Sequence, residues 1–207
     1  MTESGLEELI RESKIPPDGG KALTLYCELL KKWNKRVNLT SSSDWSVLGP
    51  LLQEGVWASA HYPDGAVAHL DIGSGAGFPA MVLRILKPNM RLDLVESRGK
   101  KCIFLETVAA SLGLGSVSVH PMRLGEYLQG RGRGKRWDLI SWKGLKLSGQ
   151  DLEMLRAHAH EGTQLWMFHG REPAVADPNA MEHRFRLFKV ARFQGRRLWM
   201  LSIYIPR

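Results

Sequence analysis

Residues 70–78 read Leu-Asp-Ile-Gly-Ser-Gly-Ala-Gly-Phe and carry the strongest structural signal in the chain. An apolar run over 67–72, typical of a buried strand, comes directly before the glycines, and a helical pattern over 78–86 follows them. Glycines at such a junction allow a tight turn and let a ligand approach the backbone closely, which a Cβ atom would prevent. The stretch therefore predicts a strand, a ligand-binding turn and a helix, in that order.

Short apolar runs alternate with helical patterns on the C-terminal side of this turn. We expect strands at 67–72, 91–95, 117–120, 137–141 and 163–168, and helices at 78–86, 100–112 and 151–160. Such alternation predicts right-handed crossovers and a parallel sheet. The last two apolar runs, 185–190 and 198–205, are joined through Gly195 and predict an antiparallel hairpin. A mostly parallel, Rossmann-like sheet of seven strands that ends in such a hairpin resembles the class I S-adenosylmethionine-dependent methyltransferases.

The ligand of the glycine turn follows from the charge beside it. Asp71, at the end of the first strand, would repel the pyrophosphate of a dinucleotide but suits the sulfonium and ammonium groups of S-adenosylmethionine. Glu96 ends the second strand, where a carboxylate accepts hydrogen bonds from ribose hydroxyls. The pair favours S-adenosylmethionine. A nicotinamide oxidoreductase, which a weak dinucleotide pattern at 75–80 would allow, is disfavoured by Asp71 and by the terminal hairpin.

The first sixty residues differ from the rest in having apolar residues at helical spacing, over 6–10, 18–33 and 45–61. A Pro-Asp-Gly turn signal follows at 63–65. We therefore divide the chain into an N-terminal helical extension, 1–63, and a methyltransferase domain, 64–207.

The composition excludes several classes of protein. The chain has 207 residues, 43% hydrophobic and 24% charged, as in an ordinary globular domain. Its two cysteines, Cys27 and Cys102, form neither a C-x-x-C motif nor a zinc spacing, so we expect reduced thiols and no metal. The N-terminus lacks the features of a signal peptide, and no apolar run approaches the roughly 20 residues that span a bilayer. We expect a soluble cytoplasmic protein.

The positive charge is concentrated in the middle of the chain. The net charge is +8, and residues 84–146 alone carry 13 basic and 5 acidic residues. A concentrated basic surface favours a polyanionic partner, most commonly a nucleic acid. A solvated basic surface without such a partner is the alternative.

Several motifs together extend the match to one family. Residues 71–79 read Asp-Ile-Gly-Ser-Gly-Ala-Gly-Phe-Pro, 96–105 read Glu-Ser-Arg-Gly-Lys-Lys-Cys-Ile-Phe-Leu, and 32–40 read Lys-Trp-Asn-Lys-Arg-Val-Asn-Leu-Thr. With Arg-Leu-Gly-Glu at 123–126 and Asp-Leu-Ile-Ser at 138–141, they resemble the small-subunit ribosomal RNA guanine-N7 methyltransferases, also called glucose-inhibited division protein B. The resemblance covers about residues 25 to 205.

The resemblance implies a reaction and a set of site residues. The reaction is methylation of N7 of one guanine in 16S ribosomal RNA, a step of rRNA processing, with S-adenosyl-L-methionine as cofactor. The partner is 16S ribosomal RNA or the small ribosomal subunit, and the enzyme is expected to be a monomer. The expected cofactor contacts are Asp71, Gly73, Ser74, Gly75, Gly77, Phe78, Glu96, Leu124 and Gly125. The expected catalytic residues are Lys143 and Arg123.

Three positions depart from the family pattern. No basic pair precedes the first strand at 50–56, Lys143 stands where the family has arginine, and His169 stands where it has lysine. A lysine lacks the planar fork of arginine. A diverged relative that binds S-adenosylmethionine but methylates another RNA, or only binds RNA, is therefore the alternative.

The residues that are missing agree with N7 chemistry. Guanine N7 has a free lone pair at neutral pH, so the reaction mainly requires proximity and in-line geometry. The chain has no Asp-Pro-Pro-Tyr motif after the fourth strand, as exocyclic-amine methylases have, and no cysteine there for attack on cytosine C5.

RNA contacts are expected from basic and aromatic residues around the site. Arg123, Lys143 and Lys146 are candidates for phosphate or base-edge contacts. Trp142 either stacks on a base or belongs to the core, and the basic loop 131–136 either contacts the RNA backbone or is solvated.

Overall fold

The computed structural model describes residues 3–65, 67–169, 185–194 and 196–203. Three helices form the N-terminal part: α1 (Glu3–Glu12), α2 (Pro17–Asn34) and α3 (Trp45–Ser59). Strands and helices then alternate: β1 (Ala68–Ile72), α4 (Ala80–Leu86), β2 (Arg91–Val95), α5 (Gly99–Ser111), β3 (Val117–His120), α6 (Leu124–Gln129), β4 (Leu139–Lys143), α7 (Gly149–Ala157), β5 (Gln164–His169), β6 (Phe185–Phe193) and β7 (Arg196–Ile203).

The seven strands form one sheet in the order β3-β2-β1-β4-β5-β7-β6. Strands β1 to β5 are parallel, and β7 pairs antiparallel with both β5 and β6. This confirms the predicted α/β class with its terminal hairpin. The strand order reverses between β1 and β4, and in open sheets of this kind ligands bind beyond the carboxyl ends of the strands at such a point.

Strand β4 lies two residues later than the pattern predicts. Asp138 precedes it and closes the amino end of β1: its carboxylate accepts from the Ala68 N–H at 2.7 Å, and its own N–H donates to the Ala68 carbonyl at 2.9 Å. The shift makes Lys143 the last residue of the strand. Helix α6 was not predicted, because six residues are too few to show a helical period.

The N-terminal helices and the sheet share one apolar core, which includes Leu23 of α2, Leu52 of α3 and Leu92 of β2. Gly55 allows α3 to approach α4 closely, because a Cβ atom there would lie 2.7 Å from the Val82 side chain. The amide of Asn34 holds the turn after α2, accepting from the N–H groups of Leu39 and Thr40. The division at residue 63 stays a prediction, and the two parts pack as one body around this core.

Three further observations concern the residues that the structure describes. Cys27 and Cys102 are buried and do not form a disulfide. No group of three or more His, Cys, Asp or Glu side chains there is arranged to hold a metal ion. None of the helices in these ranges combines the length and apolarity needed to cross a bilayer.

Candidate functional site

A cleft of about 460 Å³ opens at the carboxyl ends of β1 and β2. The glycine turn, the end of β2, the start of α6 and the β4–α7 connection line it. Five of the predicted site residues lie on its wall: Gly73, Gly75, Glu96, Arg123 and Leu124. The cleft is thus where the strand-end pattern places a ligand.

The glycine turn has a backbone conformation that residues with a Cβ atom rarely adopt. Gly73 and Gly77 have φ angles of +67° and +90°. A Cβ atom at Gly77 would lie 2.6 Å from Cγ of Met81. The N–H groups of Gly73 and Ser74 both donate to the Val95 carbonyl, at 2.8 and 3.3 Å. The turn is therefore attached to the end of β2 and presents bare backbone to the cleft.

Glu96 connects this turn to the start of α5. One carboxylate oxygen accepts from the Gly75 N–H at 2.9 Å, and the other accepts from the Arg98 N–H at 2.8 Å. The Cys102 thiol donates to the Glu96 carbonyl at 3.0 Å. A carboxylate oxygen can accept more than one hydrogen bond, so Glu96 still has capacity for ribose hydroxyls. The residue shapes the loop as well as lining the cleft.

Asp71 lies beneath the glycine turn, not on the wall of the cleft. It is only 2% exposed, and its carboxylate accepts from the Ser141 hydroxyl at 2.6 Å. Burial raises the pKa of Asp71 to about 7, although the hydrogen bond from Ser141 opposes this rise. Nearby Glu96 raises this pKa further and Lys143 lowers it. Asp71 therefore places a titratable carboxyl group behind the turn, with a pKa near neutral pH.

A chain of buried hydrogen bonds leads from Asp71 into the protein. Ser141 uses its single proton on Asp71, so its oxygen accepts from Nε2 of His69 at 2.8 Å. Nδ1 of His69 then accepts from the Tyr62 hydroxyl at 3.2 Å. Burial lowers the pKa of His69 to about 3, so the imidazole is neutral. Each group in this series donates its proton toward Asp71. The hydrogen bond from Ser141 therefore stabilises the ionised carboxylate.

Lys143 forms an ion pair with Glu54 of α3. Glu54 is 1% exposed, whereas the lysine side chain is about one quarter exposed. The predicted catalytic lysine is therefore held at the end of β4 by the N-terminal extension. It lies close enough to Asp71 to lower that residue's pKa.

Several predicted contacts support the site from behind. Ser74 is 4% exposed and donates to the Asp71 carbonyl, while the Phe78 ring packs against Tyr26 at 5.4 Å between centroids. Gly77 shapes the turn, and Gly125 lies in the first turn of α6 without lining the cleft. The expected contact of these residues with the cofactor stays a prediction.

The two alternatives for Trp142 are separated by burial. The side chain is 3% exposed and belongs to the core on one face of the sheet, so stacking on a base is excluded in this conformation. Lys146 is exposed on the β4–α7 connection. His169 ends β5, and its side chain, like Gly170, lies outside what the structure describes.

The basic loop 131–136 lies at the amino ends of the parallel strands, opposite the cleft. It borders a depression lined by Ala68 and Arg91, the first residues of β1 and β2. Lys135 is bound to both carboxylate oxygens of Asp93, at 3.1 and 3.3 Å. Since a five-residue strand is roughly 16 Å long, the loop is separated from the cleft by the height of the sheet.

Glu54, His69, Ser141 and Leu145 are among the residues of the site that sequence reasoning missed. Glu54 gave a usable signal, because it is the single acidic residue of an apolar helix. His69 and Ser141 occupy buried strand positions, where a polar residue needs a partner. Leu145 is exposed and packs over Gly73, where a Cβ atom would collide with its side chain.

Comparison with known proteins agrees with this architecture. A solved S-adenosylmethionine-dependent methyltransferase from Aquifex aeolicus superimposes with a TM-score of 0.58 at 15% identity, covering 75% of this chain and 91% of the other. The chain therefore has the fold of the class I S-adenosylmethionine-dependent methyltransferases. Within this class, residues 20–180 match the family described as rRNA small subunit methyltransferase G, and the chain belongs to that family.

Curated relatives from several bacteria carry the name ribosomal RNA small subunit methyltransferase G. The protein of Halorhodospira halophila is 38% identical over 123 residues, which are 59% of this chain and 57% of the relative. The protein of Streptococcus thermophilus is 31% identical over 125 residues, 56% of this chain and 50% of the relative. The aligned region thus spans about half the length of these relatives.

Proposed function

We propose that the protein binds S-adenosylmethionine in the cleft and methylates N7 of a guanine in 16S ribosomal RNA. The observation that carries the proposal is the glycine turn held between Asp71 and Glu96 in a chain of this family. When bound, S-adenosylmethionine supplies the methyl group from its positively charged sulfur. A bare backbone turn flanked by two carboxylates suits this cationic nucleoside better than a pyrophosphate.

The residues of the cleft divide the binding work. Glu96, which holds the turn, would accept from the ribose hydroxyls, and Leu124 at the start of α6 would pack against the adenine of the cofactor. When ionised, Asp71 places negative charge beneath the turn, where it would attract the sulfonium and ammonium groups. The residues present therefore fit the cofactor in charge and shape.

The protein need not remove a proton from guanine N7, so its task is to orient the base. Arg123, exposed at the mouth of the cleft, donates to a phosphate or a base edge. Lys143, held by Glu54, reaches the guanine O6 from the end of β4. Both cations align the target base for in-line attack.

The direct test uses labelled S-adenosylmethionine with naked 16S rRNA and with small ribosomal subunits. We expect the label in one guanine, where the RNA can be cleaved chemically as at N7-methylguanosine. Labelling of either of the two substrates is sufficient. Glu96→Gln keeps the volume but replaces one acceptor by a donor, and should reduce labelling while the variant stays folded. A folded wild-type protein that binds S-adenosylmethionine but labels neither substrate would refute the proposal and favour the diverged relative.

A further inference from the structure

A second depression, of about 800 Å³, lies between the C-terminal half of α2 and the outer face of α5. Its rim is basic and its floor is apolar. We call it the α2–α5 groove and define it by Lys32, Lys35, Arg36, Val37, Lys100 and Ile103. Ile103 is 53% exposed and, with Leu145, is one of two exposed large hydrophobic side chains among the described residues.

The charge of the groove has one sign. Lys32, Lys35, Arg36 and Lys100 are all exposed, and within the described ranges none of them is ion-paired to a carboxylate. No acidic residue is found among the described residues of its wall. Glu106, the nearest acid along α5, lines a different depression. The groove therefore offers four cations to an anionic partner.

The groove adjoins the cofactor cleft through the first turn of α5. Successive helix residues point about 100° apart, and Lys100 faces the groove while Lys101 faces the cleft. Nζ of Lys101 lies 4.0 Å from the position of a Cβ atom at Gly75. A polyanionic chain bound in the groove would therefore pass directly beside the glycine turn.

We propose that the α2–α5 groove holds the single-stranded ribosomal RNA next to the target guanine. Phosphates lie against the basic rim, and an unstacked base covers Val37 and Ile103. RNA fits better than an acidic protein segment because an enzyme that modifies a base needs that base extruded, with its flanking nucleotides beside the cleft. The inference rests on the proposed function for the identity of the RNA.

The first test compares two triple variants that remove the same charge. Lys32→Gln, Lys35→Gln and Lys100→Gln remove three of the four cations of the groove, whereas Arg131→Gln, Arg133→Gln and Arg136→Gln remove three cations from the loop at the amino ends of the strands. Binding of a labelled 16S rRNA fragment is measured across salt concentrations, without turnover. Three lost phosphate contacts should lower the log–log salt slope by roughly 2 for the groove variant only. Equal slopes for the two variants would overturn the proposal.

The second test identifies the occupant directly. A photoreactive benzoylphenylalanine placed at Ile103 is irradiated with small ribosomal subunits. A crosslink to 16S rRNA supports the proposal, whereas a crosslink to a ribosomal protein or to a second copy of this chain overturns it. Crosslinking and salt slope do not require methyl transfer, so a groove that binds RNA in a protein that methylates none of it would refute only the proposed function.

Discussion

Replacing Ser141 with alanine should weaken the binding of S-adenosylmethionine at neutral pH and leave it nearly intact at high pH. The change removes the hydroxyl that donates to the Asp71 carboxylate at 2.6 Å. Asp71 is ionised above its pKa of about 7, so the negative charge beneath the glycine turn appears as the pH rises through that value. Losing the donor destabilises the ionised form and moves the pKa upward.

The magnitude follows from the strength of the lost bond. A hydrogen bond to a charged group contributes about 1.5–3 kcal/mol, which corresponds to a rise of roughly one to two pKa units. At pH 7 the ionised fraction of Asp71 then falls from about one half to between roughly one tenth and one hundredth. The affinity should drop roughly 5- to 50-fold at pH 7 and about 2-fold or less at pH 9.

Isothermal titration calorimetry at pH 6 to 9 measures this difference. The ratio of wild-type to variant affinity at each pH cancels any titration of the ligand itself. The control Ser118→Ala changes an exposed serine of β3 and should bind like the wild type. In a protein that already carries Asp71→Asn, adding Ser141→Ala should not produce this pH-dependent loss of affinity. A Ser141→Ala defect that is absent, or equally large at pH 7 and pH 9, would refute the reasoning.

Three further predictions concern catalysis and stability. Lys143→Arg should preserve turnover on 16S rRNA, whereas Lys143→Ala should lower it roughly 10- to 100-fold at saturating cofactor; single-turnover kinetics would show this, and equal rates would contradict it. The unfolded chain protonates His69 near pH 6.5 but the folded chain only near its pKa of about 3, so stability falls with decreasing pH between these values. His69→Gln should reduce this acid loss of about 1.4 kcal/mol per pH unit, measured by urea titration at each pH. Gly77→Ala should destabilise the fold by about 1–3 kcal/mol in the same assay, because φ is +90° and the new methyl meets Met81.

The strand, glycine turn and helix at residues 67–86 could be predicted from the sequence because their signals are local. Apolar periodicity and the conformational freedom of glycine act within a few residues of the chain. The parallel sheet and the terminal hairpin could be predicted for the same reason. Glu96 could also be predicted, because the strand order by itself brings the end of β2 to the cleft. The family resemblance added the substrate class, which no local pattern contains.

The packing of side chains required the folded molecule. The contacts of Asp71 with Ser141, and of Lys143 with Glu54, join residues 70 and 89 positions apart, and they depend on strand register and on where α3 packs. Register also buries Trp142 and turns Asp71 away from the cleft wall. The basic loop 131–136 leads into β4 and therefore lies at the amino ends of the parallel strands. Its charge alone suggests an RNA contact. Composition reports how much charge a chain carries, whereas only the tertiary fold brings that charge to one surface, because distant segments must first be packed side by side.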